Sequence, residues 1–167
     1  MKTILITGMS GTGKSTVVRQ LLANGFNATD LDAAPYSMWV DADPDPEYPD
    51  NEVQPGKDWV WNGERIASLL SGNKGLLFVS GCASNMVAFY PQFDHIILLT
   101  APDEVMINRL QTRSDNTYGN QAEERTRVLY LKSEIEPLLR EAADLEIDTD
   151  MPAETVMDAI LQHVGAR

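Results

Sequence analysis

The chain has 167 residues, 43% of them hydrophobic, which is enough apolar material for the core of one domain. Its 13 basic and 25 acidic side chains leave a formal charge of −12, which would repel a polyanionic backbone, so no nucleic-acid partner is expected. The single cysteine, Cys82, excludes an internal disulfide, no apolar run is long enough to span a bilayer, and Met1-Lys2-Thr3 does not open a signal-peptide pattern; a cytoplasmic protein with no membrane partner is expected.

Residues 3–7 form a compact apolar run ending at a glycine, the signature of a strand buried on both faces. Beyond a glycine-rich loop, Val17, Val18, Leu21 and Leu22 recur at helical spacing until Asn24-Gly25 supplies a stop. Residues 26–32 read as a short second strand with acids at its carboxyl end. From 36 to 58 the composition changes: Pro44, Pro46, Pro49 and Pro55 punctuate a stretch with seven acids, and regular structure is not expected there. Residues 61–70 read as a helix, 75–81 as a buried strand with a loop, and 95–100 as another strand. Ala101-Pro102-Asp103-Glu104 opens a helix reaching about Thr112. A polar loop follows at 113–120, then a long helix with a bend expected near Pro137, a strand at 145–148 and a last helix at 152–164. Alternating strands and helices predict an α/β domain, a mostly parallel sheet between helical layers, with ligands outside the strand carboxyl ends.

That edge receives a phosphate-binding pattern, Gly8-Met9-Ser10-Gly11-Thr12-Gly13-Lys14-Ser15, between a strand and a helix as the chemistry requires. Glycines let the backbone curl so that successive N–H groups and the helix N-terminus point at an anion. Lys14 suits the β- and γ-phosphate oxygens of ATP, the Ser15 hydroxyl suits Mg²⁺, and Thr16 is placed to meet the α-phosphate.

With this loop and the strand–helix order around it, the sequence resembles the small P-loop kinases of the shikimate kinase, gluconate kinase and nucleoside monophosphate kinase group. The resemblance spans nearly the whole chain without singling out one member. It implies a three-layer P-loop NTPase fold with a five-stranded parallel sheet, a substrate pocket after the second and third strands, and a lid carrying arginines. Thr29-Asp30-Leu31-Asp32 resembles the paired-aspartate strand ending of shikimate kinase, which implies Asp30 near Mg²⁺ and Asp32 at the acceptor hydroxyl; solvated acids in a turn are the other reading. Arg65 sits where that family places an acceptor-binding arginine, and equally where a surface helix arginine would stand. Gly81 and Cys82, in Ser80-Gly81-Cys82-Ala83-Ser84-Asn85, occupy the place of its substrate loop, but without the run of glycines, which puts shikimate itself in doubt.

Arg109 and Arg113 share a helical face at the start of a lid spanning 113–127, and the resemblance implies roles at adenine and at the phosphates. Arg125 and Arg127 offer either further transition-state charge or an ordinary salt-bridged surface. Thr149, after the last strand, lies where related kinases pass backbone against adenine. The acids of 36–58, with Lys57 as its sole base, argue for a neutral or cationic acceptor bound under an insert that acts as a cap. Trp39, Trp59 and Trp61 read either as a binding platform or as a small hydrophobic cluster. The expected activity is transfer of the ATP γ-phosphate to a small-molecule hydroxyl. A nucleoside monophosphate kinase, or an ATP-binding switch with no acceptor, are the alternatives.

Overall fold

Every residue of the run Thr3 to Thr7 is buried, so the strand that contains it must be covered on both faces. The computed structural model describes residues 1–43 and 54–166, and places this strand, β1 (Lys2–Thr7), at the centre of a sheet. The helix α1 (Lys14–Ala23) leads to β2 (Asn27–Asp30). Two strands, β3 (Ser37–Asp41) and β4 (Lys57–Trp61), precede α2 (Gly63–Gly72) and β5 (Leu76–Ser80). A short 3₁₀ turn (Met86–Gln92) leads to β6 (His95–Thr100), followed by α3 (Asp103–Thr112), α4 (Ala122–Ala142), β7 (Leu145–Asp148) and α5 (Ala153–His163).

Five of these strands form a parallel sheet in the order β2-β5-β1-β6-β7, the P-loop NTPase arrangement expected. Successive residues of a strand face opposite ways, so one strand feeds two cores. Leu5, Val79 and Leu98 pack under α2, α3 and α4 with Ile66, Met106, Leu110, Val128 and Leu139. Ile4, Ile6, Phe78, Ile97 and Leu99 pack against α1 and α5 with Val17, Leu21, Val156, Ile160 and Leu161. β1 and β6 are neighbours whose outgoing connections leave toward opposite edges of the sheet. A crevice therefore opens between their carboxyl ends.

Two expectations are corrected. The segment 36–58, read as irregular, supplies β3 and the start of β4, which pair antiparallel with Trp39 opposite Trp59 and Ser37 opposite Trp61. The prolines Pro44, Pro46 and Pro49 and the acids Asp45, Glu47, Asp50 and Glu52 lie outside the described residues. The next helix starts at Gly63, because Asn62 caps it by accepting the Arg65 backbone N–H; Trp61, read as helical, ends β4 and is buried. Pro137 sits within α4, which runs unbroken from Ala122 to Ala142.

Candidate active site

The chain leaves β1 through Gly8, and a side chain there is excluded. A Cβ at this position would press on the Leu99 carbonyl oxygen and lie 2.7 Å from Thr12 Oγ1. The loop is then closed by its own groups. Thr12 donates from its backbone N and its hydroxyl to the Met9 carbonyl, at 3.3 and 2.7 Å, and Lys14 Nζ donates to the Gly8 and Met9 carbonyls at 2.6 and 3.2 Å. Gly13 caps α1 in the left-handed conformation, φ 98°.

Among the described α-helices, all but α1 carry an acid in the first turn: Glu64, Asp103 and Glu104, Glu123 and Glu124, or Glu154. In α1 there is none, and no side chain caps its first N–H groups. A helix N-terminus carries about half a positive charge, which carboxylates elsewhere in this molecule offset internally. At α1 it is left for an external anion.

A cavity of about 470 Å³ opens over this helix end. Its walls include Ser10, Gly11, Gly13, Lys14, Ser15 and Thr16, while Gly8, Met9 and Thr12 lie beneath and shape the loop. The opposite wall brings Asp30 and Asp32 from the end of β2, Arg109 and Arg113 from α3 and its end, and Thr149 after β7. Residues as far as 137 positions apart in the chain, Thr12 and Thr149, thus meet at the carboxyl edge of one sheet.

Arg109 does more than face the cavity. Its Nη1 and Nη2 donate to Thr149 Oγ1 at 2.8 Å and the Thr149 carbonyl at 2.7 Å, and Nη1 also reaches the Gly11 carbonyl at 3.3 Å. The buried Thr149 hydroxyl lies 2.8 Å from the Thr12 carbonyl and 3.1 Å from that of Thr100. Arg109 and Thr149 therefore clamp the phosphate loop to the end of the sheet. Arg113 donates to the Tyr118 carbonyl, its buried Nε has no partner among the described residues, and burial pulls the guanidinium below its ordinary pKa.

Asp32 is held from three directions. Its Oδ1 accepts from Trp61 Nε1 at 3.1 Å, both oxygens lie 3.0 Å from the Cys82 backbone N, and its own carbonyl accepts from Trp59 Nε1 at 2.9 Å. Burial pushes its carboxyl pKa up, against the opposing pull of the Lys14 charge and the hydrogen bonds from Trp61 and Cys82. Gly81 is required by this packing: a Cβ there would lie 2.6 Å from Asp32 Oδ1 and 2.8 Å from the Trp61 ring. Cys82 contributes its backbone N–H, and burial pushes its thiol pKa up, away from the reactive thiolate.

Asp30 Oδ1 accepts from the Asp32 backbone N at 3.0 Å and lies 3.4 Å from Ser80 Oγ. Its Oδ2 and the Ser15 hydroxyl carry no hydrogen bond among the described residues. Both residues line the cavity, and their oxygens are of the kind that could hold Mg²⁺.

A second cavity, about 710 Å³, continues from the first between α1, the end of β2 and the loop after α3. Asp30, Asp32, Asp115, Asn116 and Thr117 line it, with Arg19 as its one cation. Arg19 pairs with Asp115 at 3.0 Å and reaches Thr16 Oγ1 at 3.3 Å, which ties α1 to that loop. Sequence reasoning passed over Arg19, although it lies four residues after Ser15 and so on the same helical face. Asp115 and Asn116 gave no local signal. Gly81, Cys82 and Arg65 do not line either cavity; Arg65 stands exposed on α2.

The comparisons with known proteins agree with this layout. A family model described as an AAA domain matches residues 4–130, from β1 into α4. The chain belongs to the AAA domain family. Solved structures similar to this AAA domain include a shikimate kinase from Acinetobacter baumannii in complex with shikimate, at 22% identity and TM-score 0.65, covering 99% of this chain and 94% of that one. A shikimate kinase from Bacteroides thetaiotaomicron matches at 12% identity and TM-score 0.63, with 98% of each chain covered. An unliganded sugar kinase from Janibacter sp. HTCC2649 matches at 16% identity and TM-score 0.59, covering 99% of this chain and 95% of that one. No curated protein matches the sequence significantly. The AAA domain thus has the fold of the small P-loop kinases that its sequence resembles. No described helix is long and apolar enough to cross a membrane.

Proposed function

We propose that the chain is an ATP-dependent small-molecule kinase that transfers the γ-phosphate to a hydroxyl of a neutral or cationic acceptor. The observation that carries this reading is one continuous hollow in which the phosphate loop, two aspartates and two arginines meet, with an acid-lined extension beside Asp32. The shikimate and sugar kinases that share the fold support the same reading.

In this reading the loop N–H groups and the α1 N-terminus bind the phosphates, and Lys14 leaves its loop carbonyls to neutralise the β- and γ-oxygens. Ser15 and Asp30 would hold Mg²⁺, which supplies charge neutralisation at the transferring phosphoryl group. Asp32 orients the acceptor hydroxyl and takes its proton as the oxygen attacks. A carboxylate with a raised pKa is the better proton acceptor, and its fixation by Trp59, Trp61 and Cys82 holds it in one orientation. Arg113 stabilises charge on the equatorial oxygens, and Arg109 braces the loop while lining the nucleotide space. Residues 113–127 act as the lid.

The acceptor enters the second cavity, where three carboxylates outnumber one guanidinium. That excess disfavours a nucleoside monophosphate and favours a polyol or an amine-bearing alcohol. Strand β4, at the end of this insert, acts on this half through Trp59 and Trp61, which fix Asp32. ADP release is the test, with ATP and Mg²⁺ against panels of sugars, polyols, aminoglycosides, shikimate and nucleoside monophosphates. Turnover stimulated by a neutral or cationic hydroxyl compound supports the proposal. Unstimulated ATP hydrolysis, or stimulation by nucleoside monophosphates alone, overturns it.

A further inference from the structure

The chain contains only two histidines, and the fold brings both to one point with a carboxylate. His95 opens β6, Asp144 lies just before β7, and His163 ends α5. All three stand at the amino ends of the strands, the sheet edge opposite the phosphate loop. His163 Nε2 is 2.8 Å from Asp144 Oδ1, and His95 Nδ1 is 3.3 Å from Asp144 Oδ2. The three ligand atoms lie within 4.8 Å of one another, and the two rings meet edge to face with centroids 5.1 Å apart.

The geometry points to a divalent transition-metal site here, of Zn²⁺ type, with His95, Asp144 and His163 as protein ligands and water in the fourth position. Zn²⁺ takes histidine nitrogen and carboxylate oxygen at about 2.0–2.2 Å in a tetrahedron, which puts neighbouring ligand atoms roughly 3.3 Å apart. The His95 Nδ1–Asp144 Oδ2 separation of 3.3 Å matches that spacing, and the 2.8 Å between His163 Nε2 and Asp144 Oδ1 is a hydrogen bond that would lengthen as the ion enters. Imidazoles select Zn²⁺ over Mg²⁺, which prefers an all-oxygen shell, so this site does not compete with Ser15 and Asp30.

The support around the ligands is also in place. Asp144 Oδ2 accepts from the Ile96 backbone N at 3.2 Å, and the Asp144 N donates to the Ile96 carbonyl at 2.9 Å, so the carboxylate is tied to β6. The side chains keep 24%, 43% and 28% of their surface exposed for His95, Asp144 and His163, which leaves a route for the ion and room for a water ligand. Bound metal would join the start of β6, the turn into β7 and the end of α5. The inference is independent of the activity proposed above.

The test uses chelator-treated full-length protein in excess Mg²⁺, titrated with ZnCl₂ by calorimetry. One saturable site per chain is expected, weakened at least about tenfold by His163→Gln and by His95→Gln, and unchanged by Ser15→Ala in the phosphate loop. Co²⁺ in place of Zn²⁺ should give the strong visible bands of a four-coordinate ion. Because there are just two imidazoles, ¹⁵N-histidine spectra of the unaltered protein give a readout that needs no variant: both rings must shift with one equivalent of Zn²⁺. No saturable binding, an affinity unchanged from the unaltered protein in either histidine variant, a weak six-coordinate Co²⁺ spectrum, or one ring left unmoved would each overturn the site and leave a hydrogen-bonded His–Asp–His cluster.

Discussion

The two halves of the hollow are built in different ways. The phosphate half is made by eight consecutive residues, and its chemistry comes mainly from backbone N–H groups, with glycines where a side chain would collide. The proposed acceptor half depends on Asp32, whose position is set by Trp59 and Trp61 from β4 and by the Cys82 backbone after β5. A backbone site needs only a local run of the right residues. A site made from side chains needs several distant segments to arrive together, so it can diverge while the fold stays the same.

Replacing Lys14 with alanine is the strongest test of the phosphate half. Phosphoryl transfer should fall on the order of a thousandfold, measured as acceptor-stimulated ADP release, since no other cation reaches the β- and γ-oxygens from the loop. Asp32→Asn addresses the acceptor half. Stimulated turnover should fall about a hundredfold or more while ATP affinity in calorimetry is kept, which separates the halves.

The same variant has a stability signature. The folded-state pKa of Asp32 lies above its unfolded value, so the folded protein binds this proton more tightly. The stability tied to it is present below the ordinary carboxylate pKa and is lost as pH rises through the raised one. Asp32→Asn should therefore melt higher than the native protein at neutral pH, with the gap closing toward acid. A gap that widens in acid contradicts the burial argument.

Thr149→Val sharpens the comparison from the other side, because Thr149 is the distant residue on which the local loop depends. It keeps the volume and removes the hydroxyl that Arg109 and the loop share. Chemical denaturation should show a loss of about 1–3 kcal/mol, with a raised KM for ATP and little change in KM for the acceptor. Arg19→Ala should have the smallest effect. Its pair with Asp115 is exposed on both sides, so the melting temperature should hardly move, and a modest change in KM should fade with added salt.

This contrast also explains what could be read from the sequence. The run from Thr3 to Ser15 carries its own strand, glycine loop and helix start, and the structure places each of these as expected. β1, β5 and β6 were legible because burial on both faces writes a continuous apolar run. β3 and β4 were not, since prolines and acids between them dominate the composition, and their pairing is visible only when Trp39 meets Trp59. Trp61 was misassigned for a related reason: its apolar character fits a helix face as well as a strand end, and the cap at Asn62 decides between them. The Arg109–Thr149 clamp joins residues 40 apart, and no local pattern announces it.

The chain has three tryptophans, Trp39, Trp59 and Trp61, and all three lie in β3 and β4. Two of them donate indole hydrogen bonds to Asp32, one to its carboxylate and one to its carbonyl. Intrinsic fluorescence of this protein is accordingly an optical probe of the surroundings of Asp32, whereas the phosphate loop carries no emitting side chain. A compound that alters emission without ATP would be reporting from beside Asp32, which makes a label-free ligand screen possible before any turnover assay exists.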